Sequence, residues 1–250
     1  MRKPALIALF VAGFLGGVVF VYSCGSSGGG GGGGTIASAA SINVGKAISV
    51  LPYTITEPGL YYLTRNLSPP SGVADGIIVN ADHVTIDLMG FAMDGNNSTA
   101  AGISMPGRKN VEIRNGTVRG FTTGIQDNAY GGRGHRILNM RVWSNSSWGI
   151  ELGTTTHMVK DSMILYNGGG GVNIGSGSTL SGNTVFSNSG DGIVASTVSS
   201  VLGNNVYDNT GTGINLPAGE SVVDGNVSLS NTTSNYACVG TCAVGINHMP

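Results

Sequence analysis

In its C-terminal half the chain alternates apolar and polar residues in short bursts that restart at a fixed interval. Five hexapeptides, MRVWSN, SMILYN, NTVFSN, NNVYDN and NVSLSN, close on Asn145, Asn167, Asn188, Asn209 and Asn231, at intervals of 22, 21, 21 and 22 residues. Four positions after each of the first four asparagines stands a glycine followed by an aliphatic residue: Gly149-Ile150, Gly171-Val172, Gly192-Ile193 and Gly213-Ile214. Upstream, Gly76-Ile77, Gly102-Ile103 and Gly124-Ile125 open similar segments at looser intervals of 26, 22 and 25 residues. Runs such as Val84-Thr85-Ile86 and Asn110-Val111-Glu112-Ile113 alternate with period two, which is a strand signal. No window outside the N-terminal segment sustains a period of 3.6. The pattern predicts coils of about 21 residues, each holding two or three short strands and burying its apolar face only against its neighbours.

Stacked coils lie about 4.8 Å apart, so equivalent residues pile up along the axis. An asparagine ladder suits that geometry, because each amide bonds the coil above and below and leaves no orphan donor. Val142, Ile164, Val185 and Val206, three residues before each asparagine, are expected to fill the interior. Glycines at the corners are expected to supply positive φ angles. Glycosylation is the alternative use of these asparagines, but only Asn145 and Asn231 of the five carry an N-x-S/T sequon.

With these motifs in view, residues 45–246 resemble the right-handed parallel β-helix repeat proteins of the pectate-lyase-like superfamily. GLYYLTRNLS, DGIIVNADHVTIDLMGFAMDG, GISM and NVEIRNGTVRGFTTGI are similar to the first coils of bacterial members. The resemblance implies an all-β, single-stranded right-handed parallel solenoid of about eight coils over residues 43–250. It does not choose among lyases, hydrolases, epimerases, adhesins and proteins without activity.

Residues 1–23 read as a secretory signal, with Arg2 and Lys3 ahead of an apolar run from Ala5 to Tyr22. Val21-Tyr22-Ser23-Cys24 resembles the lipobox of bacterial lipoproteins and makes Cys24 the expected lipidated residue, although an uncleaved membrane anchor is the alternative. Residues 24–42 form a Gly/Ser-rich tether with seven consecutive glycines, Gly28 to Gly34. The expected location is extracytoplasmic, with the membrane as partner through the lipid. In such a compartment Cys238 and Cys242 are expected to form a disulfide that pins the C-terminal loop. No metal or other cofactor is expected.

The formal net charge is −1, and removing Arg2 and Lys3 from the 12 basic residues leaves 10 against 13 acidic. That balance argues against a nucleic-acid partner. The basic residues are unevenly placed. Arg108, Lys109, Arg114, Arg119, Arg133, Arg136 and Arg141 fall in one segment, opposed only by Glu112 and Asp127. Arginine suits bidentate capture of carboxylate or sulfate, so Arg108, Arg114, Arg119 and Arg141 are candidate binding residues for an acidic polysaccharide. Arg133, His135 and Arg136, in the Gly-rich stretch NAYGGRGHR, are the candidate catalytic set for β-elimination, in which a cation neutralises the uronate carboxylate and His135, or an arginine or lysine of lowered pKa, removes the sugar proton. Trp143, Trp148, Tyr166, Phe186 and Tyr207 are sparse and read as structural.

The leading expectation is an envelope-anchored scaffold that binds glycan or a protein partner without catalysis. The alternative is a polysaccharide lyase. The paired aspartates of the related polygalacturonases and the Asp-Pro-His-Glu signature of mannuronan epimerases are missing. Copper loading, a third use of this repeat, is disfavoured by the scarcity of His, Met and Cys clusters.

Overall fold

The computed structural model describes residues 45–70, 75–96 and 100–250. The signal segment, Cys24 and the tether lie outside these residues. Among the described residues every regular element is a strand, and the strands pair in parallel into two sheets of 15 and nine strands. No helix among them is long and apolar enough to cross a membrane.

The larger sheet has two limbs, because the long strands Glu112–Arg119 and Arg136–Trp143 run through the corner between them. Face A continues from their first halves through Met158–Lys160, Thr179–Ser181, Ser200–Leu202 and Val222–Asp224. Face B continues from their second halves through Met163–Leu165, Thr184–Phe186, Asn205–Tyr207 and Val227–Leu229. Face C is the nine-stranded sheet, running from Tyr53–Ile55 to Ser234–Cys238. Each circuit visits C, A and B in turn, which makes a solenoid of about eight coils.

Alternation decides which side chains enter. On face A one inward column runs Ile86, Ile113, Ile137, Val159, Leu180, Val201 and Val223, each in register with the next. Val142, Ile164, Val185 and Val206 form the matching column on face B, all fully buried. The continuous core follows from strands too short to bury anything except against the coil above and below.

Three polar ladders seal the corners. At the B–C corner each asparagine side chain accepts from the preceding one: Asn145 Nδ2 donates to Asn167 Oδ1 at 3.0 Å, Asn167 to Asn188 at 2.9 Å, and Asn188 to Asn209 at 2.9 Å. The last rung differs. Asn231 Nδ2 donates to Asn235 Oδ1, four residues on. A second ladder at the A–B corner runs Ser162, Asn183, Asn204, Asn226 and Asn247. A third, at the C–A corner, runs His135, His157, Ser178, Ser199 and Ser221, each side chain accepting a backbone N–H from the previous rung. Asn145 is 1% exposed, so its sequon lies inside the ladder.

The glycine expectation holds at the A–B corner, where Gly182, Gly203 and Gly225 have φ of 62–67°, but not at every corner. Positive φ at the B–C corner is carried by the residue before each asparagine, namely Ser144, Tyr166, Ser187, Asp208 and Ser230, at 51–55°. The repeat glycines Gly149, Gly171 and Gly192 are there for closeness. A Cβ on Gly171 would stand 2.5 Å from both Gly192 O and Val185 Cγ1. The neighbouring coil leaves no room for a methyl group.

Cys238, the last residue of the final face C strand, forms a disulfide with Cys242 and closes the loop leading to the last strand of face A, Ala243–Val244.

Candidate binding face

The basic cluster divides between two places. Arg114, Arg119, Arg136 and Arg141 sit on outward positions of the two long strands, where Arg136 is in register with Glu112 and Arg141 with Thr117. Arg133 and Lys109 stand in register with each other at the C–A corner. Arg108, half-buried just beyond face C, turns its guanidinium to the carbonyls of Pro106 and Asn80.

Carboxylates of adjacent coils neutralise most of the outward row. Arg114 holds Asp87 and Glu112, each at 2.8 Å, and Arg136 holds the other oxygen of Glu112 at 2.8 Å. The Asp87 hydrogen bond raises the Arg114 pKa above its ordinary value, so this guanidinium keeps its charge throughout the accessible pH range. Arg119 pairs with Asp94 at 2.7 Å and lies 4.8 Å from the ring centroid of Trp143. Such a cation–π contact contributes about 0.5–1 kcal/mol at an exposed site. Arg141 is different: its Nε donates to Thr117 Oγ1 at 3.2 Å and it has no carboxylate partner among the described residues. It lines an open hollow of about 240 Å³ at the A–B corner, together with Asn115, Asn139, Met140, Asp161 and Met163.

The catalytic expectation fails on burial. His135 is inside the coil and 0% exposed, whereas Arg133 and Arg136 point to solvent from the C–A corner and from face A. The His135 Nδ1 accepts the Val111 N–H at 3.3 Å, and Nε2 donates to Asp127 Oδ2 at 2.9 Å. Both ring nitrogens are therefore committed to the protein, and none faces a substrate. Gly-rich surroundings suggested a surface loop. The 22-residue step from His135 to His157, and then on to Ser178, was the sequence signal for a ladder rung.

Asp127 is buried with its His135 partner. Burial opposes its ionisation, but the hydrogen bond from His135 and the amides of Gly107 and Ala129 hold its pKa below the usual carboxylate range. His157 stacks beneath His135 with ring centroids 5.0 Å apart, and its Nε2 lies 3.2 Å from Thr154 Oγ1. Thr154 donates its own hydroxyl proton to the Gly132 carbonyl. Burial, followed by the proximity of His135, pushes the His157 pKa down to about 4.

The aromatics line the outside of face B, where Arg119, Trp143, Leu165, Phe186, Tyr207 and Leu229 occupy one outward column in register. Phe186 and Tyr207 stack with centroids 4.8 Å apart, and Tyr166 meets Phe186 edge-on at 4.9 Å. The Phe186–Tyr207 stack runs along the solenoid and covers the two ring faces that meet, whereas Tyr166 is 53% exposed. These contacts tie neighbouring coils together. Among the described residues no group of three or more His, Cys, Asp or Glu side chains is arranged to hold a metal ion.

This geometry defines a right-handed parallel β-helix. The family described as the right handed beta helix region matches residues 71–210 and, in an overlapping stretch, 102–248, and the chain belongs to it. Among solved structures, the fold is similar to the A-module of mannuronan C-5 epimerase AlgE4 from Azotobacter vinelandii, with a TM-score of 0.58 at 12% identity over 75% of this chain and 67% of that one. The periplasmic alginate epimerase AlgG gives 0.58 at 12% identity over 77% and 69% of the two chains. The Dettilon tailspike protein gives 0.60 at 15% identity, over 79% of this chain and 46% of the tailspike. At these identities the likeness is one of fold. No curated protein matches the chain in sequence.

Proposed function

We propose that the protein is a membrane-tethered, extracytoplasmic β-helix that binds an acidic polysaccharide and does not cleave it. The observation that carries this reading is the outward arginine row of the two long strands, in which Arg141 faces Thr117 across the coils and is left without a carboxylate partner among the described residues. Cation–carboxylate recognition suits such a row, because arginine pairs with carboxylate or sulfate bidentately. Two of the structural neighbours bear names that refer to alginate and mannuronan, which supports a polysaccharide over a protein partner. A lyase would need a base at the surface among these arginines, and His135 is turned inward.

The tether belongs to the same proposal. A basic start, an apolar run, Cys24 and a glycine tract support a lipid anchor ahead of the solenoid, which would hold the binding face near a membrane without docking it. Metabolic labelling with a radioactive fatty acid tests the anchor: label lost in Cys24→Ala is the expected result.

The binding test uses the full chain, incubated with a panel of acidic polysaccharides and read for both retention and new chain ends. Retention by at least one polymer with no new ends is expected. New unsaturated ends would make the protein a lyase. Absence of retention on every polymer would overturn the glycan reading and leave a protein partner.

A further inference from the structure

Arg141 stands apart from its neighbours. Arg114 and Arg136 share Glu112, and Arg119 is held by Asp94 and Trp143, so those guanidiniums have little left to offer a ligand. Arg141 has spent one N–H on Thr117 and is otherwise open to solvent. A cation kept free in a row of neutralised cations is available for an anion that arrives from outside.

Its surroundings give that anion a shape. The hollow beside Arg141 is about 240 Å³, below the roughly 300–1,000 Å³ of pockets that enclose a small molecule. It holds one ring-sized group of a longer ligand, and the rest of that ligand stays outside. On one side lies a fixed amide chain, in which Asn139 Nδ2 donates to Asn115 Oδ1 at 3.1 Å and Asn115 Nδ2 donates to Asp87 Oδ2 at 3.1 Å. This leaves the Asn139 carbonyl as an acceptor. Asp161 lines the same hollow, its Oδ2 held by Lys160 at 2.6 Å. The column Asn115, Asn139 and Asp161 takes left-handed backbone, with φ of 50–58°, at one corner of consecutive coils.

A small free anion would engage Arg141 but offers no donor to the Asn139 carbonyl or the Asp161 carboxylate. A ligand that separates one negative group from several hydroxyl donors suits the hollow. We infer that the hollow between Arg141, Asn139 and Asp161 is a subsite for one anionic sugar unit of a polysaccharide. Its carboxylate or sulfate pairs with Arg141, and its hydroxyls donate to Asn139 and Asp161. The inference rests on the glycan-binding reading above and narrows it to one corner of three coils.

The test is affinity electrophoresis of the full chain through gels containing a polyuronate, a sulfated polysaccharide or a neutral dextran. Arg141→Gln is compared with wild type and with Arg65→Gln, which removes the same charge from an exposed residue bonded to the Ser49 carbonyl in the N-terminal coil. The expected result is retardation of wild type by a polyuronate or a sulfated gel, with the more strongly retarding gel identifying the anionic group. Arg141→Gln is expected to weaken the apparent Kd by about tenfold or more, the scale of one charge-assisted hydrogen bond. Asn139→Ala is expected to weaken it less, and Arg65→Gln to leave it within about twofold. Thermal melts of all variants confirm the fold, since each side chain is exposed. Wild-type retardation that survives Arg141→Gln overturns the subsite and leaves the glycan reading standing. Equal retardation by dextran overturns the anionic assignment. No retardation of wild type in any gel overturns both readings.

Discussion

The Nε2–H of His135 donates to Asp127 Oδ2 at 2.9 Å, and neither side chain reaches solvent. The Val111 N–H donates to Nδ1, so both ring nitrogens are held by groups of the protein. Directly beneath, His157 accepts the His135 N–H through its own Nδ1 at 3.3 Å. Two residue types associated with catalysis here hold the C–A corner closed, and their chemistry shows in stability.

The fold is expected to be acid-labile. His157 titrates near 4 in the folded protein against about 6.5 unfolded. Between those values the unfolded chain binds the extra proton, so stability is full above about pH 6.5 and falls as pH drops towards 4. The loss from this group amounts to about 3 kcal/mol. Asp127, held below the ordinary carboxylate range, adds a further loss below about pH 4, where the unfolded carboxylate protonates. Urea midpoints at pH 7.5, 5.5 and 4.5 are expected to decline in that order. A flat series would refute the assignment.

His157→Ser tests the cause. Ser178, Ser199 and Ser221 already accept the same backbone N–H in the following coils. The variant continues that ladder and removes the titrating ring. It is expected to lose about 1–2 kcal/mol at pH 7.5, through the void left beside His135, and to show a much shallower decline between pH 6.5 and 4.5. The two stability curves therefore cross on the acid side. Parallel curves would place the acid sensitivity elsewhere.

Periodicity made the solenoid legible, and local composition misled where only stacking decides. The asparagines from Asn145 to Asn231 stood out because nothing interrupts their spacing. The second ladder has the same steps, from Asn183 through Asn204 and Asn226 to Asn247, yet its first three asparagines lay hidden as the opening letters of the same hexapeptides. His135 resembled a loop residue because its neighbours in sequence are glycines. Its neighbours in space are one coil away, and the chain upstream of Gly149 steps irregularly enough to obscure them. The arginines were found as a cluster, but their partners Asp87 and Asp94 lie 27 and 25 residues back, so neutralisation of the row could not be read from local charge.

Two glycines separate close packing from backbone conformation. Gly171→Ala drives a methyl group to within 2.5 Å of a backbone carbonyl and of Val185, and the coils must part to admit it. A loss of about 2–3 kcal/mol is expected. Gly203 has φ of +62° and open space around the position of a Cβ, so Gly203→Ala bears only the left-handed penalty, about 1 kcal/mol. Chemical denaturation of both variants checks the order. Equal losses would contradict the tight coil contact.

Opening the Cys238–Cys242 disulfide is expected to have a modest and local effect. The bridge spans a separation of four residues, and the constraint on so short a loop in the unfolded chain corresponds to about 2 kcal/mol. The double variant Cys238→Ser/Cys242→Ser should melt a few degrees lower and exchange amide protons faster in Ser234–Cys238 and Ala243–Val244, while the coils around Asn188 stay protected. Loss of protection throughout the solenoid would show that the final coil governs the whole stack.

The asparagine ladder is expected to be the least forgiving element. Asn188 Oδ1 accepts both the backbone N–H and the side-chain Nδ2 of Asn167, at 3.0 and 2.9 Å, while its own Nδ2 donates to the Ile164 carbonyl at 3.2 Å and to Asn209 at 2.9 Å. Asn188→Ala leaves the Asn167 backbone N–H without its acceptor and the Ile164 carbonyl without this donor, while Asn167 Nδ2 keeps the Val142 carbonyl and Asn209 Oδ1 keeps the residue-188 N–H. Each buried polar group left unpaired costs about 1–3 kcal/mol, and the void adds to it. A loss of at least about 3 kcal/mol is expected, against less than about 1 kcal/mol for alanine at the exposed Asn205 on the same solenoid. Asn188→Asp tells ladder chemistry from side-chain volume. It keeps the shape and the acceptor but removes both donors and buries a charge, so it should be as damaging as alanine at pH 7. Stability of Asn188→Asp close to wild type would mean that shape, and not the amide's paired donors and acceptor, holds the corner.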